Sequence, residues 1–269
     1  HVHLVGGPEF PLAEARVEDP AQRPDGGPDF DEWLEMYRGH LKVLGASRGL
    51  IVHAILYGAD TTVTIEAVKR LGPAFKGVGL LPDGASSSEI AAFAEARMVA
   101  VRLNYVHGGV LSWAGAQTMA PVLAAHGLHI QMLLHTYKHM EELAESIATL
   151  PTDLVIDHLG WPKLELGIEE PGFQKLLRML ETGKVWVKLS ALYRLCPAPF
   201  EEAAPFVEAL VKANPERLLW GSDWPHLMLA DAAMPQVADL LDVFHDAVTS
   251  ETDRRAILVD NPAQLFRFR

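Results

Sequence analysis

The chain has one cysteine in 269 residues, so no internal disulfide framework can hold it together. That scarcity fits a reducing compartment, and a cytoplasmic location is the expectation. Basic residues are also in short supply: 23 Lys and Arg against 35 Asp and Glu give a formal charge of −12. Such a surface repels phosphate backbones and anionic lipid, which argues against nucleic acid or membrane as the main partner. A small anion is still admitted, because screening confines fields to about 8–10 Å and a local basic pocket suffices. Long apolar runs are missing too. The longest, Leu50 to Tyr57, is interrupted by His53 and falls far short of the roughly 20 residues that span a bilayer. No signal-peptide pattern is present. The chain opens on His1-Val2-His3 without an initiator Met, and the first strand is expected to begin upstream.

With 49% hydrophobic and 22% charged residues, the composition is that of a globular protein, and the expectation is one domain over 1–269. Val/Ile/Leu-rich runs cover Gly49–Ile55, Phe75–Leu81, Met98–Tyr105, His129–His135, Asp153–Gly160, Val185–Tyr193 and Arg217–Asp223. They read as strands buried on both faces, and His1–Leu4 reads as the end of an eighth. Between them, apolar residues recur at three- and four-residue steps, as in Phe30, Leu34, Tyr37, Leu41 and Leu44, which predicts amphipathic helices. A last full helix is predicted from about Met234 to Val248, and a short one over Asp253–Val259. Eight such units predict a (β/α)8 TIM barrel. An open doubly wound sheet is disfavoured, since no Gly-rich phosphate turn follows the first strand. The irregular stretch Val5–Asp29 reads as a lid or a surface loop.

In a barrel the chemistry gathers at the C-terminal strand ends. The first predicted strand ends in His1-x-His3, whose imidazoles share one side. The fourth carries Arg102 and Asn104 in phase. The sixth ends in Asp157-His158, the seventh runs Lys188-Leu189-Ser190 to Tyr193-Arg194, and the eighth ends in Gly221-Ser222-Asp223-Trp224-Pro225-His226. Taken singly, each has a structural explanation. A strand-end histidine is usually a hydrogen-bonded core residue, the reading given to His53, His129 and His135. His40, His107, His126, His139 and His245 read as solvated. Jointly, His1, His3, His158 and Asp223 bracket one barrel mouth.

These motifs, with the terminal Asp260-Asn261-Pro262-Ala263-Gln264-Leu265-Phe266, resemble the amidohydrolase superfamily in the branch of the 2-pyrone-4,6-dicarboxylate lactonases. The resemblance covers almost the whole chain, and the Gly-Ser-Asp-Trp-Pro-His block is its most specific piece. It implies a hydrolase that opens a lactone, either the pyrone dicarboxylate or a related sugar lactone or muconolactone. Asp223 would activate water, while His1, His3 and His158 surround the attacked carbonyl. Arg102 and Arg194 would hold substrate carboxylate, with Asn104 and Tyr193 beside them and Tyr105 and Gln131 lining the pocket. The resemblance to the dicarboxylate lactonase implies no obligatory metal. One departure stands out: the stretch after Arg102, Asn104-Tyr105-Val106-His107-Gly108-Gly109, lacks the second arginine of the dicarboxylate lactonase. A lactone with one carboxylate or other polar groups therefore fits equally well.

The same donors, His1, His3, His158 and Asp223, also suit one Zn or Mn ion, which keeps a metal-dependent amidohydrolase or decarboxylase as the alternative. Lys188 reads as an ion-pair partner or part of a carboxylate pocket. Its carboxylation as a metal bridge is disfavoured by its seventh-strand position.

Overall fold

The computed structural model describes residues 1–14, 27–229 and 233–268. Helix α1, Phe30–Leu44, precedes the first full strand. Its start is fixed by a capping box, in which Asp29 accepts from the Glu32 amide and Glu32 answers to the Asp29 amide. Strands and helices then alternate. They run β1 Gly49–Val52, α2 Thr62–Leu71, β2 Phe75–Gly79, α3 Ser87–Glu95, β3 Met98–Asn104, α4 Trp113–Ala125, β4 His129–Leu133 and α5 Thr136–Ala148. The series continues β5 Leu154–Ile156, α6 Pro171–Glu181, β6 Val185–Ser190, α7 Ala204–Ala213, β7 Leu218–Gly221 and α8 Val237–Ala247.

The seven strands pair in sequence order, every pair parallel. The expected eighth strand, His1–Leu4, is reduced to a bridge. Val2 pairs in parallel with Ile51 on one side and Trp224 on the other. Four backbone bonds of 2.7–3.1 Å close this seam: Val2 N to Leu50 O, Val52 N to Val2 O, His3 N to Trp224 O, and Asp223 N to His1 O. Residues 1–3 thus stand as the eighth stave of the predicted (β/α)8 barrel, between β1 and the segment after β7. Gly221 permits that approach, since a Cβ there would lie 2.7 Å from the His1 Cβ.

Side-chain alternation divides the strands into an outer and an inner set. Outward residues such as Val101, Ile130, Ile156 and Val187 pack with helix residues such as Phe93, Leu123, Leu143 and Phe173 in the largest apolar cluster. Leu50, Val52, Val78, Ala100, Val155, Trp186 and Leu219 form a second set with Phe266. Two residues further along the same strands the inner set turns polar: Arg102 follows Ala100, Asp157 follows Val155, and Lys188 follows Trp186. The barrel is therefore apolar at its base, His129 against Phe266 excepted, and charged towards its C-terminal mouth.

The C-terminal segment differs from the predicted short helix. Helix α9, Glu251–Arg255, runs through a π turn at Ala256–Asp260 into α10, Asn261–Phe266. Buried Asn261 donates to the carbonyls of Pro215 and Leu218, both at 2.8 Å, and ties this segment to the start of β7. Of the expected lid, residues 15–26 lie outside the described residues. Its flanks are packed: the Gly6 amide donates to the Tyr57 hydroxyl at 2.7 Å, and the Phe30 amide to Glu9 at 2.9 Å.

Candidate active site

Three neighbouring strand ends carry residues in the left-handed backbone region. After β5 they are His158, Leu159 and Trp161; after β6, Ala191; after β7, Asp223, His226 and Met228. For residues with a Cβ this conformation is strained, and such strain gathers where side chains must be aimed against the ordinary course of a strand. Its effect is plainest at β5, where Asp157 and His158 both reach the interior although adjacent strand residues alternate in direction.

The structure brings His1, His3, His158 and Asp223 together. Asp223 Oδ1 lies 3.4 Å from both His1 Nε2 and His3 Nε2, which are themselves 3.3 Å apart. The His1 and His158 rings sit 5.2 Å between centroids. Asp223 Oδ2 accepts from the Tyr193 hydroxyl at 2.6 Å, and Arg194 Nε stands 3.6 Å away. Burial opposes the charge on Asp223, but the cationic forms of His158 and His3, with Arg194, outweigh it and hold the carboxyl well below the usual carboxylate range. Burial lowers His158 to about 4, against the pull of Asp223 and Asp157, so its ring is neutral at neutral pH.

A second carboxylate shares this interior. Asp157 Oδ1 lies 3.4 Å from His1 Nδ1 and 3.2 Å from Lys188 Nζ, and Oδ2 accepts from Gln131 at 2.9 Å. Lys188 is 1% exposed, and its ammonium also reaches His1 Nδ1 at 3.2 Å and the Gln131 carbonyl oxygen. Burial brings Lys188 down to about 8, with Asp157 resisting. Burial disfavours the Asp157 charge, yet Lys188, His158 and Arg102 keep its carboxyl below the usual range. Lys188 is thus the ion-pair partner that the sequence suggested. Asp157 was not among the expected site residues; its signal is the inward phase that it shares with Val155.

Hydrogen bonds fix what the rings can offer. His3 Nδ1 faces the Val52 carbonyl at 2.9 Å, so it carries the proton and leaves Nε2 as a lone pair. That lone pair and Asp223 Oδ1 converge, and two electron-rich atoms 3.4 Å apart call for a positive centre between them. Two groups can supply it. One is the Nε2 proton of His1, whose Nδ1 accepts from Lys188. The other is a divalent cation held by His1, His3 and Asp223, whose ligand atoms fall within 4.8 Å of one another. The donor set fits such an ion. His1, Asp157 and His158 also cluster, but the Lys188 ammonium already stands against two of them.

Above this floor the mouth is lined by His3, Arg102, Asn104, His107, His158, Trp161, Arg194 and Leu227. Past Arg102 it continues into a cavity of about 410 Å³. Arg102 is 7% exposed and donates to the His53 carbonyl, with Nε unpartnered among the described residues. Arg194 donates to the Leu227 carbonyl at 2.8 Å. Asn104 Oδ1 accepts from the His107 amide at 2.9 Å, which leaves its amide NH2 free to donate. The Tyr193 hydroxyl is committed to Asp223. Gln131 lies in the interior beside Asp157, and the Tyr105 hydroxyl donates to Glu142 at 2.9 Å on the exposed side. His40 is half-buried, with its Nε2 paired to Ser222 Oγ at 2.9 Å, and His107 stands at the cavity rim. His129 and His53 are core residues, as read, although His53 also borders the cavity.

Comparison with known proteins decides the family. The model of the amidohydrolase family matches residues 1–268. The chain belongs to this family. Among its amidohydrolase relatives, a 4-sulfomuconolactone hydrolase of Rhizobium radiobacter is 33% identical over 99% of this chain and 88% of its own length. A 2-pyrone-4,6-dicarboxylate hydrolase of Comamonas testosteroni is 31% identical over the same shares. A crystal structure from Pseudomonas putida, provisionally named a 2-pyrone-4,6-dicarboxylic acid hydrolase, superposes with a TM-score of 0.84 at 28% identity. It covers 100% of this chain and 96% of that one.

Proposed function

We propose that this amidohydrolase opens a lactone bearing a carboxylate, by attack of water that Asp223 activates. The observation that carries the reading is the place of Asp223 Oδ1, 3.4 Å from two imidazoles and beneath a mouth bordered by Arg102 and Arg194. A buried carboxylate that stays ionised can accept a proton from water as that water attacks. Its proton passes to Asp223 as the water oxygen bonds to the lactone carbonyl carbon. The tetrahedral oxyanion then collapses, the ring C–O bond breaks, and the departing oxygen takes up a proton. His158 Nδ1 pairs with Ser190 Oγ at 2.8 Å; with Ser190 donating, the opposite N–H is offered to the developing oxyanion. Arg102 and Arg194 grip the substrate carboxylate through charge-assisted bonds. Tyr193 orients the base, and Lys188 with Asp157 orients His1.

A metal-assisted variant of the same hydrolysis is supported by the convergence of His1, His3 and Asp223. A divalent ion bound there would polarise the carbonyl and lower the pKa of water. Lactones such as 4-sulfomuconolactone and 2-pyrone-4,6-dicarboxylate, assayed before and after chelation with metal content measured, test both versions. Turnover that survives chelation supports the metal-independent one. Loss of turnover together with one stoichiometric ion replaces it with the metal-assisted one. No ring opening of any lactone refutes the hydrolase reading.

A further inference from the structure

An ammonium has three protons to donate, and three acceptors surround that of Lys188. They are Asp157 Oδ1 at 3.2 Å, His1 Nδ1 at 3.2 Å and the Gln131 carbonyl oxygen. Gln131 is turned to match, because its amide nitrogen donates to the other oxygen of Asp157 at 2.9 Å. A neutral amine would bring only two protons to the three acceptors. The bond to His1 decides the tautomer of that ring. Its Nδ1 commits its lone pair to the ammonium, so the proton stands on Nε2. His1 Nε2 lies 3.3 Å from His3 Nε2, a lone pair because His3 Nδ1 donates to the Val52 carbonyl, and 3.4 Å from Asp223 Oδ1. The His1 N–H is therefore set where these two electron-rich atoms converge.

Both candidate clusters for a divalent cation pass through His1. In the first, with His3 and Asp223, an ion would need the Nε2 lone pair and would send the ring proton to Nδ1, against the Lys188 ammonium. The second, with Asp157 and His158, is closed more directly. His1 Nδ1 and Asp157 Oδ1 are 3.4 Å apart, and an ion roughly 2.1 Å from both would stand no further than about 4 Å from the ammonium. One lone pair cannot serve the ammonium and an ion together.

We propose that Lys188 is a metal-excluding residue: its ammonium is the resident cation of this interior, and through His1 it keeps divalent ions out of both clusters. The inference deepens the lactone-hydrolase reading, on which it rests, by assigning the residue that dispenses with an ion there. Lys188 acts through His1 as a positioning residue.

The test dialyses the purified full chain against zinc and against cobalt ions, beside Lys188→Met. Wild type is expected to hold no stoichiometric ion. Lys188→Met gains one, with affinity raised by about 10–100-fold, the effect that the outer partner of a ligating histidine has. Visible absorption of the cobalt form reports nitrogen and oxygen coordination. Should the unpaired Asp157 carboxylate unfold that variant, Asp157→Asn combined with Lys188→Met replaces it, since the first cluster survives there. Nitrogen NMR of the wild-type imidazoles is expected to show His1 protonated at Nε2 and bare at Nδ1. A stoichiometric ion in wild type, the opposite His1 tautomer, or a folded variant that binds ions no tighter than wild type overturns the proposal. Lactone assays separate the failures. Ion-free turnover by wild type beside an ion-free Lys188→Met removes the proposal alone. Absent turnover, with an ion gained by Lys188→Met, removes the hydrolase reading and keeps the proposal.

Discussion

Asp157 and Asp223 are the same residue type, both fully buried, both just past a strand, and each 3.4 Å from one nitrogen of the same imidazole. Their surroundings differ. Asp157 is neutralised from below by Lys188 and bonded by Gln131, with its charge spent on the interior. Asp223 is steadied by a phenol and flanked by rings that border the mouth. Neighbours, more than depth, separate a counter-ion from a base.

Three experiments break or sharpen that contrast. Asp223→Asn is expected to cut kcat by about 10³-fold with KM within a few-fold, as for loss of a general base. Steady-state kinetics check this, and unchanged kcat would give the base role to another group. Asp157→Asn leaves Lys188 buried without its partner and should lower stability by about 3 kcal/mol. Urea melts measure the loss, and Asp157→Asn combined with Lys188→Met should recover part of it. A variant of full stability with abolished turnover would instead make Asp157 a chemical participant.

A further effect concerns pH, and it separates carboxylates from imidazoles. Burial lowers His53 to about 4 and His129 to about 3, so both are neutral in the fold. Below their unfolded value near 6.5, the unfolded chain takes up protons that the fold refuses. Stability should therefore fall as pH drops from about 6.5 towards 4, by about 1.4 kcal/mol per pH unit for each ring. Asp157 and Asp223, held below the usual range, add their own loss only at pH below about 4. Urea midpoints at pH 7, 5.5 and 4.5 read the first phase, and a flat profile would contradict neutral burial.

The barrel was legible because β strands buried on both faces and amphipathic helices leave different periods in a sequence. The π turn at Ala256–Asp260 was not, since a single wide turn breaks no pattern of apolar spacing. Asp223, His1, His3 and His158 could be read from strand-end position and family motif. Asp157 was harder: strand alternation sends adjacent residues to opposite faces, and only the positive φ of His158 turns both inward. Tyr193 was expected beside the substrate; its hydroxyl bonds Asp223 instead, because of how the chain turns after β6. The terminal Asn261 belonged to the family signature, yet its work is to brace β7.

The apolar base of the barrel has one more consequence. Val155, Trp186, Leu219 and Phe266 stand between the charged interior and the opposite end of the strands. A proton captured by Asp223 sits on the mouth side of that layer, among the rings that border the mouth. Its exit and the departure of the ring-opened acid share one doorway, so clearing the product and resetting the carboxylate become a single traffic problem at the mouth.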